Sequence, residues 1–142
     1  LVAGKVTVDA DMLKTLIDSG IIPVIAPIAA NLNSKDQPCL NSNADTVAGA
    51  VALAMQSQKL IFMTDVEGVY DSSRKLIRKI TYKQLNKLID SNVIHGGMIP
   101  KLNACLQVVH NLCSAHIIDG PKSNVLKDCL TKTVIGTSIV KK

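Results

Sequence analysis

Short apolar runs alternate along the chain with stretches whose apolar positions recur at helical spacing, the pattern of an α/β domain on a mainly parallel sheet. Met12, Leu13, Leu16 and Ile17 share one face of a helix that Asp9 or Asp11 can cap and Gly20 closes after about Ser19. Ile21 to Ile28 is apolar apart from Pro23 and Pro27 near its ends, and predicts a buried strand. The polar stretch Asn31 to Pro38 predicts the tip of a hairpin that returns near Cys39 and Leu40.

Ala44 to about Gln56 predicts a helix that Asn41, Ser42 or Asn43 can cap. Its residues are mostly small, among them Ala48, Gly49 and Ala52, so it can lie very close to a sheet. Lys59 to Thr64 reads as a strand, Asp65 to Lys75 as a loop, and about Tyr82 to Ser91 as a helix. After a Gly-Gly turn come a helix from about Pro100 to Leu112, a strand over Ala115 to Ile118, a short helix over Val125 to Leu130, and a closing strand over Thr137 to Val140. With no repeat, low-complexity run or linker, residues 1–142 predict one α/β domain.

Composition narrows the function classes. Hydrophobic residues at 47% and charged residues at 19% exclude a disordered chain. No apolar run approaches the roughly 18 residues of a membrane-spanning helix. The start, Leu1-Val2-Ala3-Gly4-Lys5, has neither an initiator Met nor a signal-peptide pattern, and reads as a chain entered mid-protein. The net charge of +5 comes with scattered lysines and no Trp, so a solvated surface excess accounts for it better than nucleic-acid binding. Cys39, Cys105, Cys113 and Cys129 form no C-x-x-C pair, which removes zinc and thioredoxin-like readings and fits reduced thiols in a cytosol or plastid stroma. His95, His110 and His116 show no paired metal spacing.

Three stretches carry candidate chemistry. In His95-Gly96-Gly97-Met98-Ile99-Pro100-Lys101, Pro100 marks a helix start and the glycines let backbone approach a ligand closely. The free N–H groups there suit an anion. Lys101 in the first turn is disfavoured by about 0.3–1 kcal/mol, a penalty that a bound phosphate would reverse. An ordinary surface lysine after a Gly-Gly turn fits these residues equally well. Second, the strand Leu60 to Thr64 ends abruptly in Asp65, followed by Val66, Glu67, Gly68, Val69 and Tyr70. Ligands of open parallel sheets bind beyond such carboxyl ends, although Asp65 bonding only its local backbone is the plainer account. Third, Asn41-Ser42-Asn43-Ala44-Asp45-Thr46 offers more caps than one helix start needs, which leaves an amide for a ligand. P-loop, dinucleotide and nucleophile-elbow motifs are all absent from the sequence.

The ordered blocks Ile22 to Ile28, Asn43 to Ala50, Lys59 to Gly68, Gly96 to Lys101, His116 to Gly120 and Gly136-Thr137 resemble the amino-acid kinase family, and its N-acetylglutamate kinases in particular. The resemblance implies a three-layer αβα sandwich of the carbamate-kinase-like type, incomplete at its N-terminus, with this chain as the C-terminal ATP-binding portion. It also implies transfer of the ATP γ-phosphoryl group to the side-chain carboxylate of N-acetyl-L-glutamate, in arginine biosynthesis, with magnesium accompanying ATP.

By the same resemblance Lys101 stabilises the transferring phosphoryl group, Asp45 orients the catalytic lysines, and Asn41 and Asn43 hold the acceptor. Thr64, Asp65, Val66, Gly68, Val69 and Tyr70 would line the ATP site, with Val93, Ile94 and His95 on its other wall. A carboxylate acceptor, with a pKa near about 4.3, is already ionised and needs no general base, so positive charge and positioning carry the reaction. Homo-oligomers and a PII signalling partner are known within the family. The family's second lysine, glycine loop and substrate arginine have no counterpart in this chain, so the isolated piece is expected to be inactive. The tail after Asp119-Gly120, with Asp128 for the usual Glu and Val134 for the usual Gly, argues against arginine inhibition. The alternative is a non-catalytic nucleotide- or partner-binding module derived from the same family.

Overall fold

The computed structural model describes residues 6–36, 38–91, 93–94, 96–111, 114–131 and 135–141. Helix α1 (Ala10–Asp18) begins where the Asp9 carboxylate accepts from the Asp11 and Met12 amides at 3.1 and 3.4 Å. It ends at Gly20, whose φ of +76° permits the paired closing bonds Gly20 N to Ile17 O and Ile21 N to Leu16 O.

The buried strand expected over 21–28 is not formed. Residues 21–27 follow an irregular course with Ile22 88% and Val24 97% exposed, and only β1 (Ile28–Ala30) is extended in a ladder. Pro23 and Pro27 cannot donate, and among the described residues no strand lies beside this segment. Apolar sequence alone does not make a strand without a partner. The hairpin itself is present: β1 pairs antiparallel with β2 (Cys39–Asn41), and Asn31 N donates to Pro38 O.

Helix α2 (Ala44–Ala54) leads directly into β3 (Lys59–Thr64). A short strand that sequence reading left unassigned, β4 (Lys79–Thr81), precedes α3 (Tyr82–Asp90). Helix α4 (Met98–Asn111) starts two residues ahead of Pro100 and is followed by β5 (Ser114–Asp119), α5 (Val125–Thr131) and β6 (Thr137–Val140).

The larger sheet has the order β3-β5-β6-β4, with β3/β5 and β6/β4 parallel and β5/β6 antiparallel. One face, through Leu60, Phe62, Ala115, Ile117 and Ile139, packs against α2, α3 and α4. Leu85, Leu102, Val108 and Val109 are fully buried there, each side chain stabilising by about 1.5–3 kcal/mol. The opposite face carries Ile118 against Val125 and Cys129 of α5. The fold is therefore a three-layer α/β sandwich with a mainly parallel sheet.

Connectivity sets the polarity of its parts. α2 turns back into β3 and α4 into β5, so both helices run opposite to their strands. The N-termini of α2 and α4 therefore lie at the carboxyl end of β3 and β5, where parallel sheets bind ligands.

Candidate active site

Asn43 opens α2: its Oδ1 accepts from the Asp45 and Thr46 amides at 2.9 and 3.1 Å. That commits the oxygen to the helix and leaves the amide NH2 as the group able to meet a ligand. The cap also fixes Asp45 in the first turn, facing α4. Lys101 reaches across, and its Nζ donates to Asp45 Oδ1 at 3.2 Å and Oδ2 at 3.1 Å. The side chains are 25% and 15% exposed, so the pair is partly shielded from water and still open on one side. Such shielding strengthens a charge interaction relative to a fully exposed pair.

Alongside lies a cleft of about 400 Å³ lined by Asn43, Thr46, Pro100, Asn103, Ala104 and Gln107. Asn41, the last residue of β2, is exposed, whereas Ser42 between the two asparagines is buried. Alternation along the chain thus directs Asn41 and Asn43 to the open side.

At the carboxyl end of β3, Thr64 Oγ1 donates to Asp65 Oδ1 at 3.0 Å, and Thr64 O accepts from Gly120 N at 2.7 Å. Gly68 sits over Thr137, where a Cβ would come within 2.5 Å of Oγ1. That hydroxyl accepts from Val69 N at 2.8 Å and donates to Ile77 O at 2.7 Å. The loop after β3 is thereby tied to β6. Val66 is half-buried and Tyr70 exposed, while the side chains of Val69 and Ile94 belong to the main core. A ligand at Val69 or Ile94 would meet backbone. Val93 is half-buried, and His95 lies outside the described residues.

Asp45, Lys101 and Asn43 are brought into one cluster, with the Thr64–Tyr70 stretch at the same end of the sheet. Sequence reasoning passed over Lys122, which pairs with Glu67 Oε1 at 2.5 Å and Asp119 Oδ2 at 3.8 Å. The signal was an acid and a lysine three residues apart across the Gly-Pro turn that follows β5. The Lys122 ammonium holds the Glu67 carboxyl below its usual range, and Glu67 in turn raises Lys122. Asn103 and Gln107 were also missed; they share a helix face by their spacing.

Residues 2–119 match the sequence model of the amino acid kinase family. The chain belongs to this family. Acetylglutamate kinase from Trichlorobacter lovleyi is 43% identical over 142 aligned positions, which cover 99% of this chain and 48% of that protein. The Methanocorpusculum labreanum acetylglutamate kinase is 41% identical over 93% of this chain and 45% of its own length. The chain thus spans about half the length of the curated relatives it matches. Among solved structures, smu.665 from Streptococcus mutans superposes with a TM-score of 0.81 at 30% identity, over 99% of this chain and 51% of that one. A carbamate kinase from Giardia lamblia shares the fold at a TM-score of 0.71 and 22% identity, over 94% of this chain and 43% of its own. Among the described residues, no helix of this family member is long and apolar enough to cross a membrane.

Proposed function

We propose that these residues form the ATP-binding half of an acetylglutamate kinase, which transfers the γ-phosphoryl group of ATP to the side-chain carboxylate of N-acetyl-L-glutamate. The observation that carries this reading is the Lys101–Asp45 pair at the first turns of two helices. The names and identities of the relatives support acetylglutamate as the acceptor.

An ionised acceptor and a polyphosphate repel one another, so the protein's task is to supply positive charge at fixed positions. Lys101 supplies an ammonium, Asp45 holds it in place, and the N-termini of α2 and α4 add the positive ends of their dipoles. Asn41 and the free amide of Asn43 hold the acceptor. Thr64, Asp65 and the backbone from Val66 through Tyr70 line the nucleotide side, with Val93 and Ile94 as its other wall.

Magnesium suits this donor set as a companion of ATP. The described residues gather no group of three ligating side chains, and Asp65 offers one carboxylate at the carboxyl end of β3. Magnesium commonly takes one or two carboxylates and completes its shell with phosphates and water. When bound, it would neutralise phosphate charge.

The test is turnover of the full-length protein. Acetylglutamate-dependent ADP release is expected, with aspartate and carbamate inert; phosphorylation of either in place of acetylglutamate would overturn the acceptor assignment. Lys101→Ala is expected to lower kcat by on the order of 10²-fold or more. An unchanged kcat would remove Lys101 from the reaction.

A further inference from the structure

Two residues that carry no charge lie where the helices that hold the Lys101–Asp45 pair touch. Asp45 stands one helical turn before Gly49 on α2, and Lys101 stands one turn before Ala104 and Cys105 on α4. A Cβ added at Gly49 would lie 3.1 Å from the Ala104 Cβ and 3.5 Å from its Cα. The helices therefore meet almost backbone to backbone at this level. Gly49 is buried within α2, and its φ is not in the left-handed region, so its own backbone does not require glycine. Among residues other than proline, glycine is the poorest helix former. A glycine held this near a neighbouring helix serves packing and not helix formation.

The floor beneath the pair points the same way. Cys105 is fully buried, and its thiol is pushed up to about 12, first by burial and then by the Asp45 charge. It stays neutral. The carboxylate's charged partner among the described residues is Lys101 alone.

We propose that Gly49, through its contact with Ala104, is a positioning residue for the Lys101–Asp45 pair. It sets the separation of α2 and α4 at which one ammonium is held by both carboxylate oxygens and stays turned toward the reacting phosphoryl group. A wider separation would make Lys101 follow Asp45 and leave the place the phosphoryl group needs. The role in turnover rests on the kinase reading above; the geometry does not.

The test uses the full-length protein with Gly49→Ala, Gly49→Val and the double variant Gly49→Ala/Ala104→Gly. Gly49→Val is expected to lower kcat on the order of 10-fold, with Gly49→Ala intermediate and both KM values within about two-fold. Ala104→Gly removes the atom that the new methyl meets, so the double variant should recover kcat. Wild-type kcat in Gly49→Val, or a loss in Gly49→Ala that Ala104→Gly fails to restore, would overturn the proposal. The carbon-13 signal of the Asp45 carboxylate, read without substrates, separates the two claims. It should move in Gly49→Ala and return in the double variant whatever the acceptor is, and a signal that stays put sinks the positioning role. A signal that moves and returns, in a protein that does not phosphorylate acetylglutamate, supports the positioning role and overturns only the kinase assignment.

Discussion

His116 stands on β5 between Ala115 and Ile117, whose side chains enter the main core, so its ring projects to the opposite face, under α5. It is 8% exposed; Nε2 lies 3.1 Å from Ser114 Oγ, and Nδ1 has no partner among the described residues. Burial, and then the Lys59 charge, hold its pKa below the ordinary value. Protonation is therefore harder in the folded chain than in the unfolded one. Stability is full above the unfolded value of about 6.5 and is lost as pH falls through it toward the folded value. Urea midpoints at about pH 7.5 and about pH 5.5 should differ more for the wild type than for His116→Asn; equal differences would remove His116 as the cause. The candidate site divides in the same residue-by-residue way. Gly96, Gly97 and Pro100 mark the helix start that presents Lys101, and this was legible from local chemistry. The bond to Asp45 spans 56 positions, and no local spacing encodes it. The burial of Val69 and Ile94 was equally hidden, because an apolar residue in a loop reads alike whether it lines a ligand or fills a core.

Element boundaries were most legible where a side chain closes the backbone. Asp9 and Asn43 cap α1 and α2 as their positions suggest. At α3, Thr81 Oγ1 accepts from Gln84 N at 3.3 Å, and Gln84 Oε1 accepts from Thr81 N at 3.0 Å, a reciprocal pair. Thr81→Ala breaks one half of it and should destabilise the fold by about 0.5–2 kcal/mol, read as a lower urea midpoint with unchanged slope. An unchanged midpoint would show that packing of Leu85 alone sets the helix. β3 and β6 fall where their apolar runs fall, since both are covered on at least one face by helices. β4 escaped because three residues at a sheet edge, between lysines and arginines, leave too short a pattern. The segment from Ile21 erred the other way: its apolar run is long enough, but a strand is a property of two chains, and among the described residues no ladder forms over 21–27.

At the scale of the molecule, the two faces of the sheet are unequally covered. Three helices bury the larger cluster, whereas α5 rests on Ile118 through Val125 and Cys129, with Ile61 and Ile135 partly buried at the margin. Lys59 Nζ donates to Cys129 O at 3.1 Å and so fastens the last turn of α5 to the start of β3. Opening free energy follows buried contact, so the thin layer should open first. Native-state amide exchange is expected to show α5 amides exchanging by a local route while those of β5 and α4 wait for global unfolding. Equal protection in all three would mean that the layers unfold as one. The small layer then acts as the molecule's loose cover: each brief lifting of α5 would wet the His116 side of the sheet and leave the core beneath α2, α3 and α4 packed. The charge pair is thus built on the half of the protein that opens last.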